Sequence, residues 1–214
     1  GYGLTETSPF VTLVPIDRAL EKVGSAGLPP FFTDVRLVDD EGRDVPTGER
    51  GEVIVRGPNV MKGYWNRPEA TADAIRNGWF HTGDIGTRDA DGFFYIVDRK
   101  KDMIISGGEN VYPAEVEDCL YQHPDVAEAA VIGLSDSRWG EVVLAIIVTK
   151  PGATLAEQDV VDFTQGRLAR YKQPRRVVFI ESLPRNPAGK VLKFELRERF
   201  AAPVTAEQEA PSTR

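Results

Sequence analysis

Three polar segments in the middle of the chain have residue types and spacing that suit ligand chemistry better than a packed core. Residues 78–84 read GWFHTGD, residues 95–104 read YIVDRKKDMI, and residues 106–110 read SGGEN. The carboxylate of Asp84 offers two acceptor oxygens, which suits a vicinal diol. Arg99 supplies a positive charge, and the paired glycines leave room for a narrow ligand. This ordered set suits a ribose clamp, a hinge and a narrow tunnel.

Further segments accompany this set in a fixed order along the chain. They read GYGLTET at residues 1–7, GEVIVRGP at 51–58, GYWNRPEAT at 63–71 and PRNPAGK at 184–190. One such segment is weak evidence, but several in the same order argue against chance. Together, from residue 1 to about residue 200, they resemble the adenylate-forming superfamily, and most closely its acyl-CoA synthetases.

The resemblance implies an AMP-forming acid–thiol ligase of fatty acid metabolism. Such an enzyme activates a carboxylic acid, here expected to be a fatty acid, as an acyl-adenylate and transfers the acyl group to CoA. ATP, Mg²⁺ and CoA are the implied cofactors and co-substrates. Because the attacking carboxylate and the α-phosphate are both anions, the first step needs a metal ion and a cation to neutralise charge.

The resemblance also assigns nucleotide-binding roles near the start of the chain. Tyr2 and Gly3 belong to the motif whose aromatic ring lies against adenine. Thr5 and Glu6 are implied to lie beside the α-phosphate and Mg²⁺, and one carboxylate with nucleotide phosphate suffices for this hard cation. Taken alone, Thr5 and Glu6 are better explained as a helix cap, and it is the other motifs around them that favour the nucleotide role.

The ribose and catalytic roles fall later in the chain. Asp84 is implied to accept hydrogen bonds from both ribose hydroxyls, and Arg99 is the second ribose contact. Lys190 is the implied catalytic lysine, which contacts the reacting carboxylate and the α-phosphate as a compact positive charge. The residues Asn186 and Pro187 depart from the usual family segment before this lysine.

The second half-reaction is assigned to another group of residues. Ser106, Gly107 and Gly108 resemble the strand that lines the pantetheine channel, although a tight turn also explains the glycines. Trp139 occupies a position where some relatives place an aromatic ring near the CoA adenine, and packing explains it equally well. Lys101 aligns with the family hinge, where a large backbone rotation is absorbed.

The chain begins within a motif and contains no Ser/Thr/Gly/Lys-rich phosphate loop, so we interpret it as the C-terminal part of a longer enzyme. The piece alone is therefore expected to be inactive. Two other interpretations stay open, namely the adenylation domain of a peptide synthetase and a non-catalytic binding module. The identity and chain length of the acid are not specified by these residues.

Composition limits the classes of partner and compartment. The net charge of −7 over 214 residues argues against nucleic-acid binding, and no apolar run approaches the roughly 20 residues of a transmembrane helix. The single cysteine, Cys119, fits a reducing compartment, and two dispersed histidines exclude a zinc site of ordinary spacing. We expect a cytoplasmic protein with small-molecule partners. Peripheral membrane contact and oligomeric state are left open.

The elements that must position these residues predict an α+β chain that divides near Lys101. Residues 1–100 are predicted to be the end of a large N-terminal domain, with strands at 35–38, 51–56 and 93–97 forming a small distorted β-barrel subdomain. Residues 101–200 are predicted to be a mobile, small α/β C-terminal domain, in which Thr154 begins a capping box for a helix to about residue 168. Residues 201–214 are predicted to be a disordered tail.

Overall fold

The computed structural model describes residues 1–200, and they form two compact units. The first unit is Gly1–Lys101, and the second begins at Asp102. The predicted tail, residues 201–214, lies outside the described residues. The predicted mobility of the second unit stays a prediction.

The first unit consists of short strands with one short helix. The strands are β1 (Tyr2–Gly3), β2 (Phe10–Thr12), β3 (Asp34–Val38), β4 (Gly51–Arg56), β5 (Ile75–Arg76), β6 (Trp79–Arg88) and β7 (Phe94–Arg99). The helix α1 spans Pro68–Ala74, with the proline in its first turn, where the missing N–H costs nothing. Short 3₁₀ turns occur at Thr5–Thr7 and Ile16–Arg18.

The main sheet of this unit is open, so the predicted closed barrel is not observed. Its strand order is β3-β4-β6-β5, with β7 also paired to β6, and β1 and β2 form a separate pair. Among the strands of the first unit, β3 pairs only with β4, and its last residue, Val38, also forms an isolated bridge with Asp44, so no strand contact closes the sheet. The ten-residue strand β6 instead pairs with β4 along one edge and with β5 and β7 along the other. Apolar side chains of this unit form one buried cluster that includes Val11, Leu37, Val53, Val55 and Phe94.

The second unit alternates strands and helices around a five-stranded sheet. Its strands are β8 (Ile104–Ser106), β9 (Glu109–Val111), β10 (Val126–Asp136), β11 (Gly140–Thr149) and β12 (Arg176–Phe179). Its helices are α2 (Pro113–Tyr121), α3 (Glu157–Thr164) and α4 (Lys193–Phe200). The long strands β10 and β11 pair antiparallel, and β12 joins β11 in parallel.

Both faces of this sheet are buried, which explains the apolar runs at residues 129–134 of β10 and 142–148 of β11. On one face, Val131 and Ala145 pack with Val116 and Leu120 of α2 and with Val160 of α3. On the opposite face, the alternate residues of the same strands pack against Leu183 and against Leu196 of α4. Successive strand residues point to opposite faces, so a strand covered on both sides needs apolar residues throughout.

The helix α3 differs from its prediction at both ends. It begins at Glu157 after the N-cap Ala156, whose amide donates to the carboxylate of Asp159 at 2.9 Å, so the predicted cap at Thr154 is wrong. The helix ends at Thr164, because Gln165 is extended and Gly166 takes a positive φ of 74°. No helix among the described residues is long and apolar enough to span a membrane.

Candidate functional site

A bulge in β6 shapes the candidate site of the first unit. In the pairing of β4 with β6, Glu52 lies opposite Ile85 and Ile54 lies opposite His81. One residue of β4, Val53, therefore faces three residues of β6, and the ladder is interrupted there. Bulges of this kind bend a strand and turn individual side chains toward a site.

The bulge is held by bonds from its own side chains. The hydroxyl of Thr82 donates to the carbonyl of Val53 at 2.7 Å and accepts from the amide of Asp84 at 3.1 Å. Gly83 takes a φ of 70°, a left-handed conformation that a glycine adopts without strain. This local folding is the reason why the Thr-Gly-Asp sequence occurs inside a strand and not in a surface turn.

The bulge places Asp84 between two other residues that the sequence singled out. The hydroxyl of Tyr2 donates to Oδ2 of Asp84 at 2.6 Å, and Nε of Arg99 lies 3.6 Å from Oδ1. Asp84 is only 6% exposed, so its charge needs such partners. Burial, together with the hydrogen bond to Asp84, raises the pKa of the Tyr2 hydroxyl well above its usual range. The phenol therefore stays protonated and donates.

Asp84 and Arg99 open onto a cleft of about 510 Å³. The cleft has carboxylates and cations on its walls and two apolar side chains, a combination suited to a polar ligand with a flat apolar part. Its lining comprises Leu4, Glu6, Tyr64, Phe80, His81, Thr82, Gly83, Asp84, Arg99, Lys100 and Lys101. Glu6, Asp84, Arg99 and Lys101 are thus brought to one cleft.

The other predicted nucleotide residues flank this cleft. Glu6 accepts a 3.0 Å hydrogen bond from the hydroxyl of Tyr64, and Thr5 is exposed beside it in the 3₁₀ turn. A side chain at Gly3 would have no room, because a Cβ added there would lie 1.8 Å from the carbonyl oxygen of Pro9. The lack of a side chain at Gly3 therefore allows its backbone to lie close to the backbone of Pro9.

The oxygens of Thr5 and Glu6 fit a magnesium ion that is bound partly by the protein and partly by nucleotide phosphate, and not one bound by protein ligands alone. No group of three or more acidic, histidine or cysteine side chains in residues 1–200 is arranged to hold a metal. One carboxylate beside an exposed hydroxyl is the donor set expected for Mg²⁺, which retains waters and takes its remaining ligands from phosphate.

Several residues of the cleft were missed by the sequence analysis. Tyr64 bonds Glu6, and Lys100 bonds the buried carboxylate of Glu52 at 3.1 Å. Nδ1 of His81 lies 3.5 Å from the carboxylate of Glu52 and is buried without a hydrogen-bond partner in the part of the chain that the structure describes. A charged residue within the apolar strand GEVIV was a readable signal for Glu52, and Tyr64 lies in the segment GYWNRPEAT, which carries the family resemblance but was given no role.

The candidate CoA residues meet within the second unit. Gly107 and Gly108 form the two-residue turn of the β8–β9 hairpin, with φ values of 63° and 86°. The amide of Gly107 donates to the carbonyl of Trp139 at 2.8 Å, and a Cβ on Gly107 lies 2.8 Å from the indole ring. Ser106 is the buried last residue of β8. The glycines are therefore in a turn after the strand, which is the alternative interpretation that the sequence left open.

Trp139 is flanked by positive charge. The guanidinium groups of Arg138 and Arg175 lie 5.0 and 4.5 Å from the centre of its ring system. The carboxylate of Asp136 accepts from the amides of Trp139 and Arg138, both at 2.8 Å, and these two bonds hold the pKa of that carboxyl below its ordinary value. An aromatic ring between two cations on an ordered turn suits an anionic, planar ligand.

Lys190 lies in an exposed loop of the second unit, in the chain connection before α4. The side chain of Asn186 accepts from the amides of Ala188 and Lys190 at 3.0 and 2.9 Å, which orders the loop. Asn186 therefore has a structural role that explains this departure from the usual family segment. Lys101 is the last residue of the first unit and lies in the 3₁₀ turn Lys100–Asp102.

Comparison with known proteins gives two family matches. The AMP-binding enzyme family matches residues 1–65, and the AMP-binding enzyme C-terminal domain matches residues 115–190. The chain is 55% identical over 200 residues to a feruloyl-CoA synthase of an Amycolatopsis species, covering 94% of this chain and 41% of that protein. It is 53% identical over 204 residues to a long-chain-fatty-acid–CoA ligase of Mycobacterium tuberculosis, covering 95% and 40%.

A solved structure agrees in fold as well as in sequence. The o-succinylbenzoate CoA synthetase of Bacillus subtilis, in complex with its acyl-adenylate intermediate, superposes with a TM-score of 0.84 at 43% identity. The match covers 92% of this chain and 40% of that chain. The same enzyme has also been solved with ATP and a magnesium ion. This chain spans about two fifths of the length of the curated relatives it matches. The two family matches cover most of the chain, and the chain belongs to the AMP-binding, adenylate-forming enzyme family.

Proposed function

We propose that this chain supplies the ribose side of the nucleotide site and the mobile domain of an ATP-dependent acyl-CoA synthetase. The observation that carries the proposal is the arrangement at Asp84. Its carboxylate is buried, is held by Tyr2 and Arg99, and faces a cleft of about 510 Å³. A fixed carboxylate with two acceptor oxygens is complementary to the two hydroxyls of a ribose.

In the first half-reaction, a carboxylate oxygen of the acid attacks the α-phosphorus of ATP. The bond between the α-phosphorus and the bridging oxygen breaks, and pyrophosphate leaves with both electrons of that bond. Lys190 stabilises the negative charge that develops on the α-phosphate, since an exposed ammonium on an ordered loop can reach a reacting group. Thr5 and Glu6 would hold Mg²⁺, which supplies Lewis-acid neutralisation of the phosphates.

In the second half-reaction, the CoA sulfur attacks the acyl carbon and AMP leaves. We assign the pantetheine path to Ser106, Gly107 and Gly108, where the glycines leave backbone groups accessible to amides of the ligand. We assign Trp139, whose ring has Arg138 and Arg175 near it, to stacking on the CoA adenine. Lys101, at the boundary of the two units, is the proposed hinge between the two reaction states.

The acid is proposed to be a hydrophobic carboxylic acid, and a fatty acid is the first candidate. Similarity to the relatives supports the type of reaction more strongly than the identity of the acid. The relatives are named for feruloyl, long-chain fatty and 2-succinylbenzoate substrates. These acids share a carboxylate, and the rest of the molecule varies from an aliphatic chain to a substituted aromatic ring.

The test is ATP–pyrophosphate exchange by the full-length protein across a panel of fatty, aromatic and dicarboxylic acids. Acid-dependent exchange, followed by formation of the matching CoA thioester on addition of CoA, is the expected result. Acid-dependent exchange followed by acyl transfer only to a carrier protein, and never to CoA, would contradict the proposal.

A further inference from the structure

Glu52 is an exceptional residue of the first unit because it is charged and lies within the apolar strand β4. Its neighbours Val53, Ile54 and Val55 are buried, and Glu52 itself is 6% exposed. It pairs with Val38 on one side and is held in the interior of the sheet. Burial of a carboxylate is unfavourable unless partners compensate it, so its partners define its role.

Those partners lie on β6 or directly after β7, the two strands that carry the ribose clamp. Oε1 of Glu52 accepts from the amide of Gly83 at 3.3 Å, and Oε2 accepts from the ammonium of Lys100 at 3.1 Å. The Nδ1 of His81 lies 3.5 Å from the same Oε2. Lys100 also bonds the carboxylate of Asp40 at 2.7 Å, which anchors it from a second side.

The positions of these partners along the chain are the decisive feature. Gly83 immediately precedes Asp84 on β6, and Lys100 immediately follows Arg99 at the end of β7. The amide of Gly83 lies in the bulge, where the regular ladder is interrupted. One buried carboxylate therefore binds the backbone amide just before Asp84 and the side chain just after Arg99.

We propose that Glu52 is the positioning residue of the ribose clamp, acting through Gly83 on Asp84 and through Lys100 on Arg99. This inference rests on the proposed function, because it assumes that Asp84 and Arg99 bind the ribose of ATP. Glu52 does not touch the nucleotide in this account. It sets the position of the carboxylate and the guanidinium that do.

The test compares three nucleotides with the full-length protein. Pyrophosphate exchange is measured with ATP, 2′-deoxy-ATP and 3′-deoxy-ATP for the wild type, Glu52→Ala, Glu52→Gln and Lys100→Met. The control is Glu49→Ala, which removes an exposed carboxylate outside β4. The readout is the ratio of kcat/KM for ATP to kcat/KM for each deoxynucleotide, because loss of fold lowers all three values together.

We expect Glu52→Ala to reduce the preference for ATP over each deoxynucleotide by about fivefold or more. Glu52→Gln keeps the size of the side chain and one acceptor oxygen for Gly83, so it tests the role even where the alanine variant does not fold. We expect it and Lys100→Met to reduce the preference in the same direction by a smaller factor. Glu49→Ala should keep the wild-type ratio.

Equal losses for all three nucleotides in Glu52→Gln, with the ratio unchanged, would overturn the proposal and leave Glu52 a structural residue. Failure of the proposed function has a different signature. In that case the wild-type protein itself shows no acid-dependent exchange with ATP, and the positioning role is withdrawn along with it.

Discussion

The hydroxyl of Tyr2 donates a 2.6 Å hydrogen bond to the carboxylate of Asp84, a residue 82 positions later in the chain. The bond joins the first strand of the chain to the bulge of β6. It constrains Oδ2 of Asp84, and Arg99 lies beside Oδ1. The carboxylate is therefore oriented by the protein, and a preorganised acceptor binds a ligand without first losing its own rotational freedom.

Removal of this hydroxyl should weaken the first unit. Tyr2→Phe keeps the ring but deletes a donor to a buried carboxylate, which typically costs about 1–3 kcal/mol. Urea unfolding of the 214-residue chain, followed by tryptophan fluorescence, measures the change. The control is Tyr95→Phe, whose hydroxyl meets Asp89 at the longer distance of 3.3 Å. Equal losses in the free energy of unfolding for the two variants would show that the Tyr2–Asp84 hydrogen bond stabilises the fold no more than the Tyr95–Asp89 bond.

Local sequence signals predicted most elements but not the sheet that builds the site. The strands predicted at residues 35–38, 51–56 and 93–97 correspond to the observed β3, β4 and β7. The long strand β6 was missed, because the sequence around Thr82 and Gly83 favours a turn. Its strand form depends on pairing with β4 and β7, which are distant in sequence. The expected barrel failed for the same reason, since closure is a property of edge strands and not of any segment.

The residues of the candidate site also divide into those whose roles local motifs predicted and those whose roles they did not. Asp84, Arg99 and Lys190 were found from motifs, and their roles remain proposals. Glu52 and Tyr64 lie in two of the quoted segments, but no role was assigned to them, because each acts on a partner more than 30 residues away. Contacts of that range are set by the fold and leave little trace in local patterns.

The two glycines of the β8–β9 turn should differ in their tolerance to substitution. A Cβ on Gly107 meets the indole of Trp139 at 2.8 Å, whereas a Cβ on Gly108 meets nothing within 4 Å. Both glycines have positive φ, so each substitution carries a similar backbone cost and Gly108→Ala is a matched control. We expect Gly107→Ala to slow thioester formation more than Gly108→Ala, with little effect on adenylation. Stopped-flow measurement of CoA consumption from preformed acyl-adenylate checks this, and a wild-type rate for Gly107→Ala would remove Gly107 from the pantetheine path.

Lys190 should act on the first half-reaction alone. Removing one preorganised charge contact commonly slows a reaction on the order of 10²–10³-fold, so Lys190→Ala should slow pyrophosphate release by that factor. Supplying preformed acyl-adenylate to the full-length variant should restore CoA transfer. Lys150→Ala, which removes another exposed lysine of the same unit, is the control. A variant that also fails with preformed adenylate would indicate a structural role for Lys190.

The pairing of Asp89 with Lys22 should make stability depend on pH in acid. The hydrogen bond from Lys22, supported by the amide of Phe93, holds the pKa of the Asp89 carboxyl below its ordinary value of 3.8. A carboxyl with a lowered folded-state pKa stabilises the fold above its unfolded-state value, and this contribution is lost as pH falls through the folded-state value. The Tm difference between wild type and Asp89→Asn should therefore be present at about pH 6 and vanish near pH 2.

Calorimetry across that pH range measures the difference, with Asp73→Asn on the exposed face of α1 as the control. The control should match the wild type throughout. A Tm difference for Asp89→Asn that grows on acidification has the wrong sign and would reject this assignment.

Asp84 is proposed to bind the ribose of ATP, and the most direct test of this role is the ATP dependence of acid-driven pyrophosphate exchange. The full-length wild type is compared with Asp84→Ala and with Asp73→Ala, and circular dichroism verifies the fold of each. Two hydrogen bonds to a charged group are each worth about 1.5–3 kcal/mol, so we predict that Asp84→Ala lowers kcat/KM for ATP by about 10²-fold or more. Asp73→Ala should retain the wild-type value. A folded Asp84→Ala protein that exchanges ATP as efficiently as the wild type would contradict the account.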